Sequence, residues 1–264
     1  MNRLNHRLTG PADAPIVLFL HGFMGSLTDW QTVIDALEGE YRCLAVDLPG
    51  HGDSTGFSDS AYTMEGAARL VVDLLDELEV SRANVVGYSM GGRLALYLAI
   101  EYGERCERLC LESASPGLEL EVDRITRRGL DEARAIRLET DDYDSFLEEW
   151  YRQPLFATLS AKEELISGLL EARRANDPHE LARSLRGMGT GRQPSLWERI
   201  ATLEVPTLAM SGALDGKYVE IAEKMAVLND RVRAVSVPNT GHIIHLENPE
   251  AFILLLRSFL QSII

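Results

Sequence analysis

The sequence has few cysteines and no long apolar run. Its 264 residues include three cysteines, Cys43, Cys106 and Cys110. This small, odd number does not suit a disulfide framework, so we expect reduced and buried thiols. No run approaches the roughly 18 to 20 apolar residues of a transmembrane helix, and the first residues lead into no apolar segment typical of a secretory signal. We therefore expect a cytoplasmic protein that does not associate with a membrane.

An excess of positive charge is also missing. The formal net charge is -15 at pH 7, which argues against nucleic acid as a partner. If the substrate is an anion, this overall field opposes its approach, and a local basic patch has to overcome that field. Apolar residues make up 45% of the chain, and this composition and length suit one globular domain with a large core.

A strand–turn–helix motif with a central serine is the most informative part of the sequence. Residues 87–91 read Gly-Tyr-Ser-Met-Gly and fit the pattern G-x-S-x-G. Residues 83–86 suit a buried strand, and residues 93–99 are good helix formers. A sharp turn between the two strains the backbone of the middle residue and exposes its hydroxyl, and the flanking glycines avoid collisions across the turn. We therefore predict that Ser89 is a nucleophile or a base.

Two later loops provide partners for this serine. A serine hydroxyl reacts poorly unless a histidine takes its proton and an acid orients that histidine. Residues 206–211 read as a strand followed by Asp215, and residues 232–237 read as the next strand, followed by His242. The chain order serine, acid, histidine is that of α/β hydrolases. We assign Asp215 as the orienting acid and His242 as the base, and treat the nearby His245 as structural.

An early loop completes the predicted site. Residues 16–20 form an apolar run that ends at His21-Gly22-Phe23. In α/β hydrolases such a loop offers a backbone N–H for an oxyanion, beside the N–H of the residue after the nucleophile. We predict Phe23 and Met90 as these donors and expect His21 to hold the loop by hydrogen bonds. Residues 47–54, with the pattern D-x-P-G-x-G-x-S, are predicted to form a shaped turn near the site.

The alternation of strands and helices is interrupted between residues 112 and 206, where helical periodicity occurs without strands. The whole pattern predicts an α/β-hydrolase fold: a mostly parallel central sheet flanked by helices, with a helical cap inserted after the sixth strand. We expect residues 1–115 and 198–264 to form the core and residues 116–197 the cap. Twelve arginines lie between residues 124 and 199, and we expect most of them to pair with nearby acids on solvated helix faces.

Four segments resemble one family within this superfamily. They are residues 87–93, 112–118, 146–156 and 184–197. They are similar to the synthases of 2-succinyl-6-hydroxy-2,4-cyclohexadiene-1-carboxylate in menaquinone biosynthesis, and the resemblance runs along nearly the whole chain. It implies a carbon–oxygen lyase that eliminates pyruvate from 2-succinyl-5-enolpyruvyl-6-hydroxy-3-cyclohexene-1-carboxylate, in a menaquinone or phylloquinone pathway. The resemblance also implies that Ser89 is the base and that no metal or organic cofactor takes part.

The implied substrate is a small polycarboxylate with three carboxylates, which arginine can bind through its bidentate fork. Arg93 lies four residues after Ser89, about one helical turn further along, and is predicted to point into the pocket. The resemblance assigns a second carboxylate to Arg127, with Arg128 as an open alternative. Gly129 follows this pair and is expected to weaken the helix there.

The remaining substrate contacts also come from the resemblance. The third carboxylate falls on Arg173 or Arg174. Tyr88, which precedes the serine, together with Trp150 and Tyr151, is expected to line the surface that binds the ring, with packing of the cap as the alternative role for these aromatic residues.

Other functions remain open at the level of sequence. The first is a carboxylesterase or a carbon–carbon bond hydrolase on the same fold, which would turn over simple esters or dienone acids and would not depend on Arg93. The second is a binding protein without catalytic activity, against which the complete triad argues. A haloperoxidase would keep the triad but would not need an arginine-rich cap. We expect a monomer or a weak homo-oligomer.

Overall fold

A seven-stranded sheet forms the centre of the computed structural model, which describes residues 3–262. In space the strands follow the order β1-β3-β2-β4-β5-β6-β7. Strand β1 pairs with β3 in the antiparallel sense, and all other neighbours are parallel. The strands are β1 His6–Thr9, β2 Ile16–Leu20, β3 Arg42–Val46, β4 Ala83–Tyr88, β5 Cys106–Glu112, β6 Thr207–Gly212 and β7 Val232–Val237.

The sequence pattern predicts the inner strands well and misses the edge strand β1. The strands predicted at residues 83–86, 206–211 and 232–237 are confirmed by β4, β6 and β7. Every residue of β2 and β4 is buried, because helices cover both faces of a parallel sheet and select continuous apolar runs. Strand β1 has four residues, none of them fully buried, and such a short edge strand carries no comparable signal.

Eleven α-helices and four short 3-10 helices surround the sheet within residues 3–262. The helices of the sheet-bearing part are α1 Gln31–Leu37, α2 Met64–Glu77, α3 Met90–Glu101, α8 Trp197–Ile200, α9 Gly216–Leu228, α10 Ile244–Glu247 and α11 Pro249–Leu260. Between β5 and β6 lie α4 Glu121–Thr140, α5 Tyr143–Tyr151, α6 Glu163–Arg173 and α7 Pro178–Met188. The 3-10 helices are Leu27–Trp30, Asp59–Tyr62, Gly103–Arg105 and Pro154–Ala161.

The predicted fold class is confirmed, with two corrections to its details. The helical insertion follows β5, the fifth strand in the described part of the chain, and not the sixth, because a single strand precedes β2. The expected weakness at Gly129 is wrong, because α4 continues through it for 20 residues. This helix packs along α7, and that tertiary packing outweighs the low helix propensity of one glycine.

Apolar side chains fill both faces of the sheet, and the inserted helices share one of these cores. Val17 and Phe19 of β2 belong to the same buried cluster as Phe146 and Leu147 of α5 and Leu181 of α7. Each such side chain contributes about 1.5 to 3 kcal/mol through burial, so the insertion is attached to the sheet by a continuous core. The three cysteines are buried and free, as expected. None of the helices in residues 3–262 combines the length and apolar character of a membrane span.

Candidate active site

The turn between β4 and α3 holds Ser89 in a strained conformation. Ser89 has φ +49°, in the left-handed region that non-glycine residues rarely adopt. The turn is tight because a Cβ on Gly87 would lie 2.4 Å from the carbonyl oxygen of Gly91, and one on Gly91 would lie 2.3 Å from that of Leu20. The backbone N–H of Ser89 donates to the carbonyl oxygen of Glu112 at 2.9 Å. The structure therefore contains the sharp strand–turn–helix motif predicted around Ser89.

Ser89, His242 and Asp215 form a connected triad. The Nε2 atom of His242 lies 3.3 Å from the Oγ of Ser89, and its Nδ1 atom lies 2.6 Å from the Oδ2 of Asp215. Both His242 and Asp215 are buried. The carboxylate accepts the Nδ1 hydrogen, so Nε2 is left free to take a proton from the serine hydroxyl.

Two backbone N–H groups belong to the residues predicted as oxyanion donors. Phe23 and Met90 both line the cavity above Ser89, and among residues 3–262 neither N–H has a hydrogen-bond acceptor. Met90 is the first residue of α3, where a helix presents unpaired N–H groups and a partial positive charge. This arrangement can stabilise an anionic oxygen.

The loop that carries Phe23 is fixed by His21 in the role predicted for that residue. The Nε2 atom of His21 accepts the N–H of Leu48 at 2.9 Å, and its Nδ1 atom lies 2.7 Å from the carbonyl oxygen of Gly22. Burial lowers the pKa of His21, so it stays neutral and can act as acceptor and donor at once. In the loop of residues 47–54, the Asp47 carboxylate accepts the N–H of Leu27 at 2.7 Å. The two loops therefore hold each other in place.

His245 belongs to a second histidine–acid pair, separate from the triad. Its Nδ1 atom lies 2.7 Å from the Oε2 of Glu112, and its backbone N–H donates to the Oε1 of Glu112 at 3.0 Å. Its ring stacks on Trp30 with a centroid distance of 4.4 Å. The prediction that His245 is structural agrees with these contacts, since they tie the loop after His242 to the end of β5.

A cavity of about 200 Å³ lies above the triad, between the sheet and the inserted helices. Among the described residues that line it, there are five basic side chains and no Asp or Glu. The basic residues are Arg93, Arg127, Arg134, Arg173 and Lys217. The chain is strongly acidic overall, so this concentration of positive charge is the local basic patch that an anionic substrate would require.

Arg93 is buried and lines the cavity, and it has no acidic partner in the described part of the chain. Its Nη1 group donates to the carbonyl oxygen of Met188 at 2.8 Å and to the Oε1 of Gln193 at 3.0 Å. Burial, with a smaller contribution from the charge on Arg127, lowers the pKa of Arg93 to about 10. Arg93 is still charged at neutral pH, and no carboxylate among residues 3–262 forms an ion pair with it.

The structure separates Arg127 from its neighbour Arg128. Arg127 lines the cavity, and its Nε donates to the Oδ1 of the buried Asp131 at 2.7 Å. Arg128 lies outside the cavity lining and binds Glu121 and the carbonyl oxygen of Gly191. Of the two alternatives left open by the sequence, only Arg127 is positioned to contact a ligand in the cavity.

The same distinction holds for Arg173 and Arg174. Arg174 is on the surface and binds Asp144 and Glu171. Arg173 is buried at the cavity wall, and both of its terminal nitrogens donate to Asp29 at 2.7 Å. Burial alone would lower the pKa of Arg173, but the Asp29 carboxylate raises it above its ordinary value. Arg173 is therefore present in the site with its charge already balanced.

The predicted aromatic residues also line the cavity. Tyr88, Trp150 and Tyr151 are all part of its wall. The hydroxyl of Tyr151 accepts a hydrogen bond from the Nε of Arg173 at 3.1 Å, which leaves its own hydrogen free for a ligand. Burial raises the pKa of Tyr88 well above its ordinary value, and Glu112 raises it further, so Tyr88 remains a neutral phenol.

Two basic residues of the lining, Arg134 and Lys217, are missed by the sequence reasoning. Arg134 follows Arg127 by seven residues on α4, which is two helical turns and therefore the same face, so the periodicity could have identified it. It lies 3.7 Å from Asp131, donates to Gln153 at 2.9 Å and stands over the ring of Trp150. Lys217 lies two residues after Asp215, so the loop that carries the triad acid could have suggested it.

Residues 15–249 match the family of proteins with the alpha/beta hydrolase fold, and the chain belongs to it. Its relatives allow a narrower assignment. The 2-succinyl-6-hydroxy-2,4-cyclohexadiene-1-carboxylate synthase of Serratia proteamaculans (strain 568) is 34% identical over 96% of each chain. The solved structure of MenH from S. aureus has a TM-score of 0.92 and 33% identity, covering 99% of this chain and 98% of the other. The chain therefore belongs to the family of 2-succinyl-6-hydroxy-2,4-cyclohexadiene-1-carboxylate synthases.

A third relative is much longer than this chain. The chloroplast protein PHYLLO of Arabidopsis thaliana is 32% identical over 98% of this chain, but the match spans only 16% of that protein. The present chain therefore corresponds to one part of PHYLLO.

Proposed function

We propose that this protein is a carbon–oxygen lyase of quinone biosynthesis, in a menaquinone or phylloquinone pathway. It converts 2-succinyl-5-enolpyruvyl-6-hydroxy-3-cyclohexene-1-carboxylate into 2-succinyl-6-hydroxy-2,4-cyclohexadiene-1-carboxylate and pyruvate. The observation that carries the proposal is the cavity, because Ser89 opens into a space lined by five basic residues and no acidic one among the described residues. A substrate with three carboxylates fits such a lining, whereas a neutral ester would leave buried charges unpaired.

Proton abstraction is the proposed task of the triad. Ser89 passes its hydroxyl proton to the Nε2 of His242 and takes the proton from the ring carbon next to the succinyl carbonyl. Asp215 holds His242 in the required tautomer and stabilises the imidazolium that forms. The bonding electrons move through the ring, create the conjugated diene and break the carbon–oxygen bond to the enolpyruvyl group. The released enolpyruvate takes up one proton and becomes pyruvate.

The negative charge that develops during proton abstraction needs stabilisation. It spreads into the succinyl carbonyl oxygen, for which the free N–H groups of Phe23 and Met90 are the proposed donors. Loss of one such donor typically costs about 10²- to 10³-fold in rate. Removal of a carbon-bound proton thus uses the same two donors that a hydrolase uses for a tetrahedral intermediate, and no acyl-enzyme is required.

The substrate contacts proposed for Tyr88, Arg93, Arg127, Trp150, Tyr151 and Arg173 are supported by their place in the cavity lining. The proposed contacts Arg93 and Arg127 differ in depth. Arg93 is buried beside the triad and suits a carboxylate held deep in the site. Arg127 lies on α4 of the insertion and is half-buried. Arg173 acts on the substrate through Tyr151, whose hydroxyl it orients.

The test compares lyase and esterase activity in the same preparations. The enolpyruvyl cyclohexene substrate is expected to give pyruvate and the ultraviolet absorption of a conjugated diene, whereas p-nitrophenyl acetate is hydrolysed slowly if at all. Ser89→Ala should lower kcat of the lyase reaction by about 10³-fold or more. Arg93→Met should lower kcat/KM for the tricarboxylate and leave any residual esterase activity unchanged.

Ser113→Ala is the matched control for the serine. Ser113 also has a positive φ, +47°, at the end of the neighbouring strand β5, but its buried hydroxyl does not line the cavity. We expect lyase activity of the Ser113→Ala variant to equal that of the wild type. If ester hydrolysis dominates, requires Ser89 and does not respond to Arg93→Met, the protein is a hydrolase and the proposal is wrong.

A further inference from the structure

The positive charges in the cavity are not all available to a ligand. Arg173 is balanced by Asp29 through two hydrogen bonds of 2.7 Å. Arg127 and Arg134 share a single carboxylate, Asp131, at 2.7 Å and 3.7 Å. One net charge therefore remains on that cluster, and the Arg173 pair contributes none.

Two further cations have no acidic partner among the described residues. Arg93 binds only neutral oxygens, and Lys217 forms no ion pair within residues 3–262. Together with the Arg127–Asp131–Arg134 cluster, they give the lining three uncompensated positive charges. This number equals the three carboxylates of the substrate in the proposed function, on which the present inference rests.

We infer that Lys217 binds the carboxylate of the enolpyruvyl leaving group. Lys217 is at the mouth of the cavity, where it is exposed, while Arg93 is deep and buried. The group that leaves must have a way out to solvent, so its carboxylate belongs at the mouth and the carboxylates that stay on the ring belong further in. The ammonium stands 5.4 Å from the ring centre of Tyr218, and that ring lies 4.8 Å from the ring of His242. The Tyr218 ring therefore lies between the Lys217 ammonium and His242.

The surroundings of Lys217 favour the binding of an anion. Partial burial of the ammonium lowers the pKa of Lys217 and the positive charge of Arg127 lowers it further, while the Asp215 carboxylate raises it by less. A bound carboxylate would reverse both effects, since it replaces lost solvation and neutralises the repulsion between the two cations. A lysine also suits a leaving group, because its point charge binds without the fixed bidentate geometry of arginine.

Lys224 provides a matched control on the same helix. The chain has only three lysines, Lys162, Lys217 and Lys224. Lys224 lies seven residues after Lys217 on α9, pairs with Glu119 and stands over Trp197, outside the cavity lining. Lys217→Met removes the charge, and Lys217→Arg keeps it. Lys224→Met removes a similar charge elsewhere on α9.

Kinetics of the lyase reaction provide the first test. We expect Lys217→Met to raise KM for the enolpyruvyl substrate and the inhibition constant of pyruvate by about tenfold each, the size of one charged hydrogen bond. Inhibition by succinate should change less than about twofold, since the succinyl carboxylate lies deeper. Lys217→Arg should recover most of the loss, and Lys224→Met should behave as the wild type. Unchanged pyruvate inhibition in Lys217→Met, or a rise for succinate alone, would overturn the assignment.

A second measurement does not depend on turnover. Reductive methylation with ¹³C-formaldehyde labels the three lysines and the amino terminus and keeps their charge. Added pyruvate should shift the NMR signal that is absent from the Lys217→Arg variant, and should leave the signals of Lys162 and Lys224 in place. If the wild type has no lyase activity but pyruvate still shifts this signal, the proposed function fails and the carboxylate subsite stands. If the signal does not move, the subsite is wrong whatever the activity.

Discussion

The sheet and the inserted helices position their functional groups in different ways. In the sheet, a strained turn fixes Ser89, and loops that follow neighbouring strands fix His242 and Asp215. In the insertion, ion pairs with buried carboxylates hold the arginines, as Asp131 holds Arg127 and Asp29 holds Arg173 across the boundary between the two regions. The backbone thus determines the chemistry, whereas charge balance determines which substrate the cavity accepts. Changes in the triad should mainly lower kcat, and changes in the arginines of the insertion should alter binding or stability.

The largest effect is expected from Asp215→Asn, which attacks the sheet side of this comparison. An amide at this position would no longer stabilise the imidazolium and would favour the wrong tautomer of His242, so kcat should fall by about ten-thousand-fold. Steady-state kinetics with the enolpyruvyl substrate measure this loss, and thermal unfolding should change little. A fall of less than about tenfold would show that His242 does not need an orienting acid in this reaction.

The second histidine–acid pair provides the control for that experiment. Glu112→Gln leaves one oxygen for two donors, the ring and the backbone N–H of His245, and a buried unsatisfied group costs about 1 to 3 kcal/mol of stability. Its kcat should stay within about tenfold of the wild type, since Glu112 does not touch His242. The two pairs have nearly the same distance, so the contrast would show that contact with Ser89 makes one of them catalytic.

The next effect concerns Arg173, which joins α6 to the sheet-bearing part. Arg173→Met would leave Asp29 buried without its partner, and breaking such a pair typically costs about 3 to 5 kcal/mol in the free energy of unfolding. Denaturant unfolding measures this loss. Arg174→Met is the control and should leave stability unchanged, because Arg174 is on the surface. If Asp29→Asn combined with Arg173→Met restores the stability but not the activity, Arg173 acts on the substrate as well as on the fold.

The limits of prediction from sequence follow the same division between sheet and insertion. The triad is predictable because a short motif, a strand before it and a loop after each later strand specify the backbone, and the backbone places the side chains. The choices between Arg127 and Arg128, and between Arg173 and Arg174, stay open because adjacent helical residues differ by about 100° in direction. Asp29 is a tertiary partner and distinguishes Arg173 from Arg174, whereas Asp131 is an i,i+4 neighbour of Arg127 on α4. For that pair, only the packing of α4 against α7 shows which arginine faces the cavity.

Lys217 is missed for a related reason. Its value as an anion site depends on the absence of an acidic partner, and in a chain this acidic the sequence gives no sign that a given lysine is left unpaired. The edge strand β1 is missed because four half-exposed residues bury too little to impose a pattern. The loop of Asp215 could have suggested the position of Lys217, but the lack of an acidic partner depends on distant parts of the chain.

The smallest effect is expected from Arg127→Met, which tests the insertion alone. Loss of this arginine removes a cation from the cavity, but Arg134 is close enough to take over the Asp131 carboxylate, so the fold should be preserved. One charge-assisted hydrogen bond to the substrate would then be lost, and KM should rise about tenfold, or about 1.4 kcal/mol, with little change in kcat. Arg128→Met, one residue further along α4 and outside the cavity lining, should leave KM unchanged. Equal effects of the two substitutions would mean that the general positive charge of α4, and not a contact from Arg127, attracts the substrate, and this would remove the distinction between the two residues that the cavity lining supports.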